Sequence, residues 1–179
     1  MIKLKANSDI ELKELGYEDI QPIFSIIDSE LPYLSEWLPF VSETKTPDDT
    51  RLFVEDYLNS EGHELTFGIF YQGRLAGLIG LKDIDTGNKK TEVGYWLSEK
   101  FQHKGIVTLS CRALIGYAFE TLKLNRIQLK AATGNLKSQQ VAKRLGFKRE
   151  GIERAGELHQ RGFVDLVVFS LLKEDLESI

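Results

Sequence analysis

A strand, a long helix and a second strand follow one another between residues 91 and 132 of this 179-residue chain. Apolar and aromatic residues dominate 91–97, and apolar positions recur with helical spacing from about 106 to 122. Another strand is predicted at 126–132. Because two strands that are joined through a helix run parallel, this unit predicts a parallel strand pair with a helix packed on one face of the sheet.

The loop before the long helix is a candidate anion site. It ends in Gly105, directly before the first apolar position of the helix. The first N–H groups of a helix lack partners within the helix, its N-terminus is partially positive, and a glycine lets the backbone approach a phosphate. The loop therefore indicates a phosphate-bearing ligand, although a glycine that merely makes the turn gives the same pattern. Neither a P-loop motif nor a dinucleotide-binding glycine motif is present in the sequence.

The other elements are predicted from periodicity and turn residues. Thr46 and Pro47 mark a helix start, Gln72-Gly73 marks a hairpin, and Gly146 marks a helix end. The further predicted strands are 10–15, 65–71, 74–82, 148–154 and 163–172, and the further helices are 17–28, a short one within 31–39, 46–60 and 136–145. Together they predict an α/β fold with a mixed sheet, in one domain covering residues 1–179.

Charge is unevenly distributed along the chain, whose net charge is −4. Residues 100–149 contain eleven lysines and arginines and one acid, whereas residues 30–64 contain nine acids and two bases. The basic part suits a polyanionic ligand and the acidic part suits a cationic one. Solvated helix faces without any ligand would produce the same charges.

Neither a membrane span nor an internal disulfide is expected. No apolar run approaches the roughly 20 residues that a bilayer requires, and the first residues lack the apolar stretch of a signal peptide. The one cysteine, Cys111, falls among the apolar positions of the long helix, so it is expected to be a buried residue rather than a nucleophile. These features indicate a cytoplasmic protein.

Six short motifs occur together in one order and spacing. They are Leu34-Ser-Glu-Trp-Leu-Pro39, Glu92-Val-Gly-Tyr-Trp-Leu97, Gln102-x-x-Gly105-Ile-Val107, Asn135-x-x-Ser138, Arg144-Leu-Gly-Phe147 and Gly162-x-x-x-Asp165. With them the chain resembles the GNAT superfamily of acetyl-CoA-dependent N-acetyltransferases, and within it the RimJ/RimL branch that acetylates ribosomal proteins. The resemblance implies the GNAT-type acyl-CoA N-acyltransferase fold, a single three-layer domain.

The resemblance also implies acetyl-CoA as co-substrate. The family segment that binds the CoA diphosphate through backbone N–H groups falls here on Gln102, His103, Lys104, Gly105, Ile106 and Val107, with Val107 where the broad pattern has Gly or Ala. The strand at 93–97 would separate from its neighbour and pair with the pantetheine arm, which places the thioester near Tyr95, Trp96 and Leu97. Asn135 would bind the pantetheine. Lys104, Lys143 or Arg144 would contact the phosphate groups of CoA.

Acetyl transfer to an amine requires a base, oxyanion donors and a group that assists the leaving thiolate. A carboxylate can take the amine proton: Glu157 matches the position used in part of the Rim-type branch, and Glu92 matches a strand glutamate of other GNAT enzymes. Backbone N–H groups near residues 96–97 would stabilise the oxyanion. Ala142 occupies the position of the usual tyrosine acid, and the resemblance to the Rim-type branch, which has a serine three residues after the Asn, implies that Ser138 donates a hydrogen bond to sulfur. Its alternative role is a local helix cap.

The acceptor is expected to be a primary amine, and the resemblance implies the N-terminal α-amino group of a ribosomal protein. A polyamine or another amine metabolite also fits the acidic part of the chain. Tyr33 and Trp37 are candidates for the wall of the acceptor groove, or alternatively for core residues. The three histidines lack the spacing of metal ligands, so no metal is expected, and the protein is expected to be a monomer or homodimer.

Two further hypotheses compete with an enzyme. An acetyl-CoA-binding module that has lost its activity is suggested by Ala142. A nucleic-acid-binding protein would use the basic part of the chain, but the negative net charge argues against it.

Overall fold

A computed structural model describes residues 1–177, which form one open sheet with helices on both faces. The strands are β1 Lys3–Lys5, β2 Ile10–Glu14, β3 Leu65–Tyr71, β4 Arg74–Asp85, β5 Lys90–Leu97, β6 Arg126–Ala132, β7 Lys148–His159 and β8 Gly162–Leu172. The helices are α1 Ile20–Ser29, α2 Leu31–Leu34, α3 Pro47–Leu58, α4 Ile106–Glu120, α5 Leu136–Arg144 and α6 Lys173–Glu177. The strand order is β1-β2-β3-β4-β5-β6-β8-β7, and β5–β6 is the parallel pair. The mixed sheet expected from the sequence is therefore confirmed.

The two faces of the sheet are covered by different helices. On β5, Val93 belongs to the larger core together with Cys111 of α4, which is fully buried as expected. Trp96 belongs to the smaller core with Ile23 of α1 and Val54 of α3. Because side chains alternate along a strand, neighbouring residues of β5 serve opposite cores. The helix–sheet–helix arrangement gives the three layers that the family resemblance implies.

Local sequence explains several element boundaries. The Asp49 carboxylate accepts hydrogen bonds from the Thr46 N–H at 2.8 Å and from the Thr46 hydroxyl at 3.0 Å, which fixes the start of α3. Gln72 and Gly73 have φ values of 49° and 77°, as a tight two-residue hairpin requires. Gly146 has a φ of 82° just after α5. The helix start, the hairpin and the helix end that the sequence predicts are all confirmed.

The last hairpin is longer than its sequence pattern indicates. β7 continues beyond residue 154 to His159, and its register with β8 shifts between Glu153 and Glu157. Within the irregular stretch Ala155 has a φ of 49°, and its N–H donates to the Asp165 carboxylate at 2.8 Å. A bulge interrupts the alternation of polar and apolar residues, so the pattern ends the strand too early. The short β1 and α6 are also absent from the sequence prediction, because so few residues carry no readable period.

Within residues 1–177, no helix has both the length and the apolar character of a transmembrane span.

Glu150 of β7 forms a two-point ion pair with Arg126 of β6. Its carboxylate oxygens lie 2.6 and 2.7 Å from the two terminal nitrogens of Arg126, and the Ser170 hydroxyl donates at 2.7 Å. The hydrogen bonds from Arg126, and then that from Ser170, lower the pKa of Glu150 to about 2. Because an unfolded glutamate titrates near 4.3, the ionised pair stabilises the fold above about pH 4.3. This contribution is lost as the pH falls toward 2.

Glu150→Gln is expected to lower the free energy of unfolding by about 1 kcal/mol at pH 7, since solvent screens these partly exposed side chains. The difference from the wild type should shrink as the pH is lowered from about 4.3 toward 2. Urea denaturation at a series of pH values measures it. Glu120→Gln, at the exposed end of α4, is the control and should change stability by less than about 0.5 kcal/mol. A difference that stays constant down to pH 2 would contradict this account of Glu150.

Candidate active site

β5 and β6 separate from each other partway along the sheet. Their pairing consists of three residue pairs and ends at Glu92–Gln128. β5 continues to Leu97 paired with β4, and β6 continues to Ala132 paired with β8. The facing edges of 93–97 and 129–132 therefore have no strand partner, and an extended ligand can hydrogen-bond there. The separation implied by the family resemblance is confirmed by this register.

Alternate residues of β5 direct their backbone groups into this gap. The Ser98 N–H donates to the Ala76 carbonyl at 2.8 Å, on the β4 side. Backbone groups alternate along an antiparallel strand, so the N–H groups of Leu97 and Tyr95 face the gap and that of Trp96 faces β4. Leu97 is thus the donor nearest to the open end, and the Trp96 side chain is buried in the smaller core.

The start of α4 presents a concave set of free backbone N–H groups. The N–H groups of residues 103–108 donate to no backbone carbonyl within the described part of the chain. His103 and Gly105 have φ values of 63° and 70°, and such left-handed residues curve successive N–H groups toward one point, where an anion can bind. A Cβ added at Gly105 would meet no atom within 4 Å, so the space beside this Cα is open. Beside them, the Lys104 ammonium lies 4.9 Å from the centre of the Tyr71 ring.

Gln102 ties this loop to two helices. Its side-chain N–H donates to the Tyr33 hydroxyl of α2, and its Oε1 accepts from the Lys137 ammonium of α5 at 3.2 Å. Lys143 lies in the last turn of α5, about 9 Å along the helix from Lys137. Lys137 is therefore the α5 cation that reaches the loop. Sequence reasoning missed it, because no spacing rule distinguishes it from the other lysines of the basic region.

Ser138 and Tyr95 form a hydroxyl pair across the gap. Their oxygens lie 2.9 Å apart, although Tyr95 belongs to β5 and Ser138 to the first turn of α5. The capping function belongs to Asn135, whose Oδ1 accepts from the Ser138 N–H at 3.1 Å. Burial raises the pKa of Tyr95, so its phenol remains protonated at neutral pH. Ala142 is fully buried in the larger core.

Glu157 lies toward the open end of the gap. In the sheet, Glu157 pairs with Val164 of β8. Leu166, two residues after Val164 in the chain, is opposite Ala132 at the end of β6, so Val164 and Glu157 lie past that end. Glu157 Oε2 lies 2.7 Å from His159 Nε2, and 44% of the Glu157 side chain is exposed, against 10% for His159. A carboxylate that is oriented by a nearly buried imidazole and remains accessible can accept a proton from a bound amine.

Glu92 lies at the closed end of the gap, and nearby cations compensate its charge. The Lys82 ammonium is 2.8 Å and the Lys130 ammonium 3.9 Å from its oxygens, and Gln128 donates a hydrogen bond at 3.3 Å. By strand register it lies roughly 20 Å from Glu157 along the strand direction. The structure does not bring the two candidate bases together, and it engages Glu92 in ion pairs with two lysines.

A buried carboxylate connects α1 to the loop before α4. Glu30 is 7% exposed, and it accepts hydrogen bonds from the Ser98 hydroxyl at 2.7 Å and the Glu99 N–H at 2.8 Å. Such bonds hold the two segments in fixed relative positions. Sequence reasoning did not single out Glu30, because in the sequence it is one of nine acids in the acidic part of the chain.

Tyr33 and Trp37 line the same end of the sheet. Tyr33 contacts Gln102 after β5, and the Trp37 ring lies against Gly134 after β6, where an added Cβ would be 3.1 Å from it. Both rings are half-buried, so they are neither fully core nor fully surface. Burial, and then the carboxylates of Glu99, Glu30 and Glu36, raise the pKa of Tyr33. Three carboxylates therefore act on the Tyr33 hydroxyl, while the Lys137 ammonium lies 6.0 Å from the centre of its ring.

These features together accommodate an elongated ligand with a phosphate group at one end. The phosphate fits the N–H groups before α4, and an extended chain fits the free edge of β5. The histidines 63, 103 and 159 are not gathered in space. Within residues 1–177, no group of three or more His, Cys, Asp or Glu side chains is arranged to hold a metal ion.

Comparison with known proteins identifies the family of the chain. Residues 9–148 match the family model "Acetyltransferase (GNAT) domain". The chain is 38% identical over 183 residues to a putative ribosomal N-acetyltransferase, YdaF, of Bacillus subtilis (strain 168), covering 99% of both chains. It is 29% identical to the ribosomal-protein-serine acetyltransferase of Escherichia coli (strain K12), covering 93% of this chain and 94% of that protein. A solved microcin C7 self-immunity acetyltransferase, MccE, in complex with acetyl-CoA and AMP, superposes with a TM-score of 0.89 at 26% identity, covering 94% of each chain.

Proposed function

The chain belongs to the GNAT acetyltransferase family and is an acetyl-CoA-dependent N-acetyltransferase, and we propose that its acceptor is the N-terminal α-amino group of a ribosomal protein. The observation that carries acetyl transfer is the gap between β5 and β6, which leads to the free N–H groups before α4. The acceptor rests on two relatives, one named a putative ribosomal N-acetyltransferase and the other a ribosomal-protein-serine acetyltransferase.

The residues present fit acetyl-CoA. Bound acetyl-CoA supplies the acetyl group as a thioester that an amine can attack. The N–H groups of residues 103–108 bind its diphosphate, with Lys104 and Lys137 nearby as cations. The gap-facing backbone groups of β5 hold its extended arm in the manner of an added strand.

The reacting groups divide between the two sides of the gap. Glu157 takes the proton of the amine, whose free pKa is about 8, and its hydrogen bond with His159 at 2.7 Å orients the carboxylate. The Leu97 N–H is aimed at the carbonyl oxygen of the acetyl group. Ser138 donates a hydrogen bond to the leaving sulfur, because its hydroxyl is not needed to cap α5.

The carboxylates around Tyr33 support a cationic acceptor. Glu36 and Glu99 are exposed beside Tyr33 and raise its pKa together with burial. A protein N-terminus or a lysine-rich segment would be attracted there. A polyamine would be attracted by the same carboxylates and is the second candidate acceptor.

Acetylation of matched peptides tests the acceptor. We expect peptides with the N-terminal sequences of ribosomal proteins to gain one acetyl group, located at the α-nitrogen by mass spectrometry. The same peptides with a blocked α-amine should gain none, which excludes lysine as the acceptor. Acetylation of spermidine in preference to every peptide would shift the proposal to a polyamine. Binding of CoA without transfer to any amine would favour a binding module.

A further inference from the structure

We propose that Tyr95 is a positioning residue of this acetyltransferase: its hydroxyl donates to Ser138 Oγ and thereby directs the serine proton into the gap. The inference rests on the proposed role of Ser138 at the leaving sulfur. It links a tyrosine of β5 to Ser138 in a chain that has Ala142 at the position of the usual tyrosine acid, although Tyr95 does not act as that acid.

The contacts of the two hydroxyls support this direction of donation. The Tyr95 oxygen lies 2.9 Å from Ser138 Oγ and 3.5 Å from the Ser138 carbonyl oxygen, so the hydroxyl is the closer acceptor. Within residues 1–177 Ser138 Oγ has no other hydrogen-bond partner. Once Ser138 Oγ accepts from Tyr95, its own proton is free to point elsewhere, and the half-buried side chain is not fully enclosed by protein atoms.

The position of Tyr95 explains why one hydrogen bond can orient the Ser138 hydroxyl. β5 and β6 are no longer paired at this level, so the Tyr95–Ser138 contact links β5 to α5 where strand hydrogen bonds are absent. Tyr95 also packs against the larger core on the α4 side, which fixes its ring. A rigid donor reduces the number of orientations open to the Ser138 hydroxyl.

Tyr95 positions Ser138 and keeps its own proton. The reaction forms a nitrogen–carbon bond and breaks the carbon–sulfur bond. The amine proton passes to Glu157 and from there to water, while the sulfur leaves as a thiolate hydrogen-bonded to Ser138 and takes up a proton from water. Burial raises the pKa of Tyr95, so a tyrosinate is unfavourable and the phenol remains a hydrogen-bond donor throughout.

A double-mutant cycle tests the inference. Tyr95→Phe is expected to lower kcat about tenfold, as loss of one hydrogen bond would, with the KM for acetyl-CoA changed by less than about twofold. Ser138→Ala should lower kcat about 100-fold, and adding Tyr95→Phe to it should change nothing further. Tyr117→Phe is the control, since Tyr117 of α4 packs against the same core without a hydrogen bond from its hydroxyl to any of residues 1–177.

A spectroscopic measurement on the free protein reports the contact independently of turnover. The chain has six tyrosines, so labelling with 3-fluorotyrosine gives six fluorine signals, and Tyr95→Phe identifies the one from residue 95. Ser138→Ala should shift this signal and leave that of Tyr117 in place. An unshifted signal would overturn the inference.

The inference and the proposed function can fail separately. If the wild-type enzyme is active and Tyr95→Phe retains full kcat, only the positioning role is overturned. The same holds if the two substitutions lower kcat additively. A wild-type protein that transfers acetyl to no amine would contradict the proposed function.

Discussion

Replacing Glu157 by glutamine is expected to lower kcat about 100-fold at neutral pH, at the lower end of the range for loss of a general base. Glutamine keeps the size of the side chain and its hydrogen bond to His159, so the hairpin between β7 and β8 should stay intact. Steady-state kinetics with acetyl-CoA and an accepted amine measure the change. The deficit should diminish as the pH rises toward the pKa of the amine, about 8, because the amine then arrives without its proton.

Glu92→Gln is the matched control for this substitution. It also replaces a glutamate of the sheet by its amide, but at the closed end of the gap and in contact with Lys82 and Lys130. We expect kcat to change by less than about threefold, because the ion pairs already compensate this carboxylate. A large loss in Glu92→Gln with full activity in Glu157→Gln would reverse the assignment of the base. Full activity in both would mean that the proton leaves by another route.

Substituting Gly105 is expected to have its largest effect on CoA affinity. At a φ of 70° a Cβ would project into the open space beside the free N–H groups of residues 103–108. Displacing a phosphate from even one charge-assisted hydrogen bond corresponds to about a tenfold loss of affinity. We therefore expect Gly105→Ala to raise the Kd for CoA about tenfold and Gly105→Val about 100-fold, as measured by isothermal titration calorimetry.

Gly62→Ala separates this effect from backbone strain. Gly62 has a φ of 83°, and an added Cβ there would also meet no atom within 4 Å. Both alanine variants should lose about 1 kcal/mol of folding stability, since the left-handed conformation disfavours any Cβ. The Gly62 variant should bind CoA as the wild type does. Equal affinity of Gly105→Val and wild type for CoA would remove the loop from diphosphate binding.

The elements that could be predicted from the sequence are those with strong local signals. The long α4, the hairpin at Gln72-Gly73 and the Thr46 cap each depend on residues within a few positions of one another, and each is confirmed. The end of β7 could not be predicted in the same way. Its bulge is held by Asp165 of the neighbouring strand, and periodicity does not record such a contact.

For the candidate site, the sequence identified side chains with suitable chemistry, and the fold determined which groups these side chains contact. Ser138, Glu157 and Glu92 all have suitable groups, and their spacing alone left two bases and a capping role open. Strand register puts Glu157 and Glu92 roughly 20 Å apart along the strands. Three other contacts of the site join residues that are at least 35 positions apart in the chain. They are Lys137 with Gln102, Glu30 with Ser98, and Tyr95 with Ser138.

By itself the sequence determined the glycine that opens α4, the alternation that assigns β5 residues to two cores, and the motifs of an acetyltransferase. These properties depend on the conformational preferences of neighbouring residues, which the chain carries wherever it is placed. Only the tertiary structure decided where β5 parts from β6, which carboxylate stays accessible and which hydroxyl meets Ser138. Those outcomes depend on register and packing between distant segments, and the order of residues along one strand does not specify what lies opposite to it.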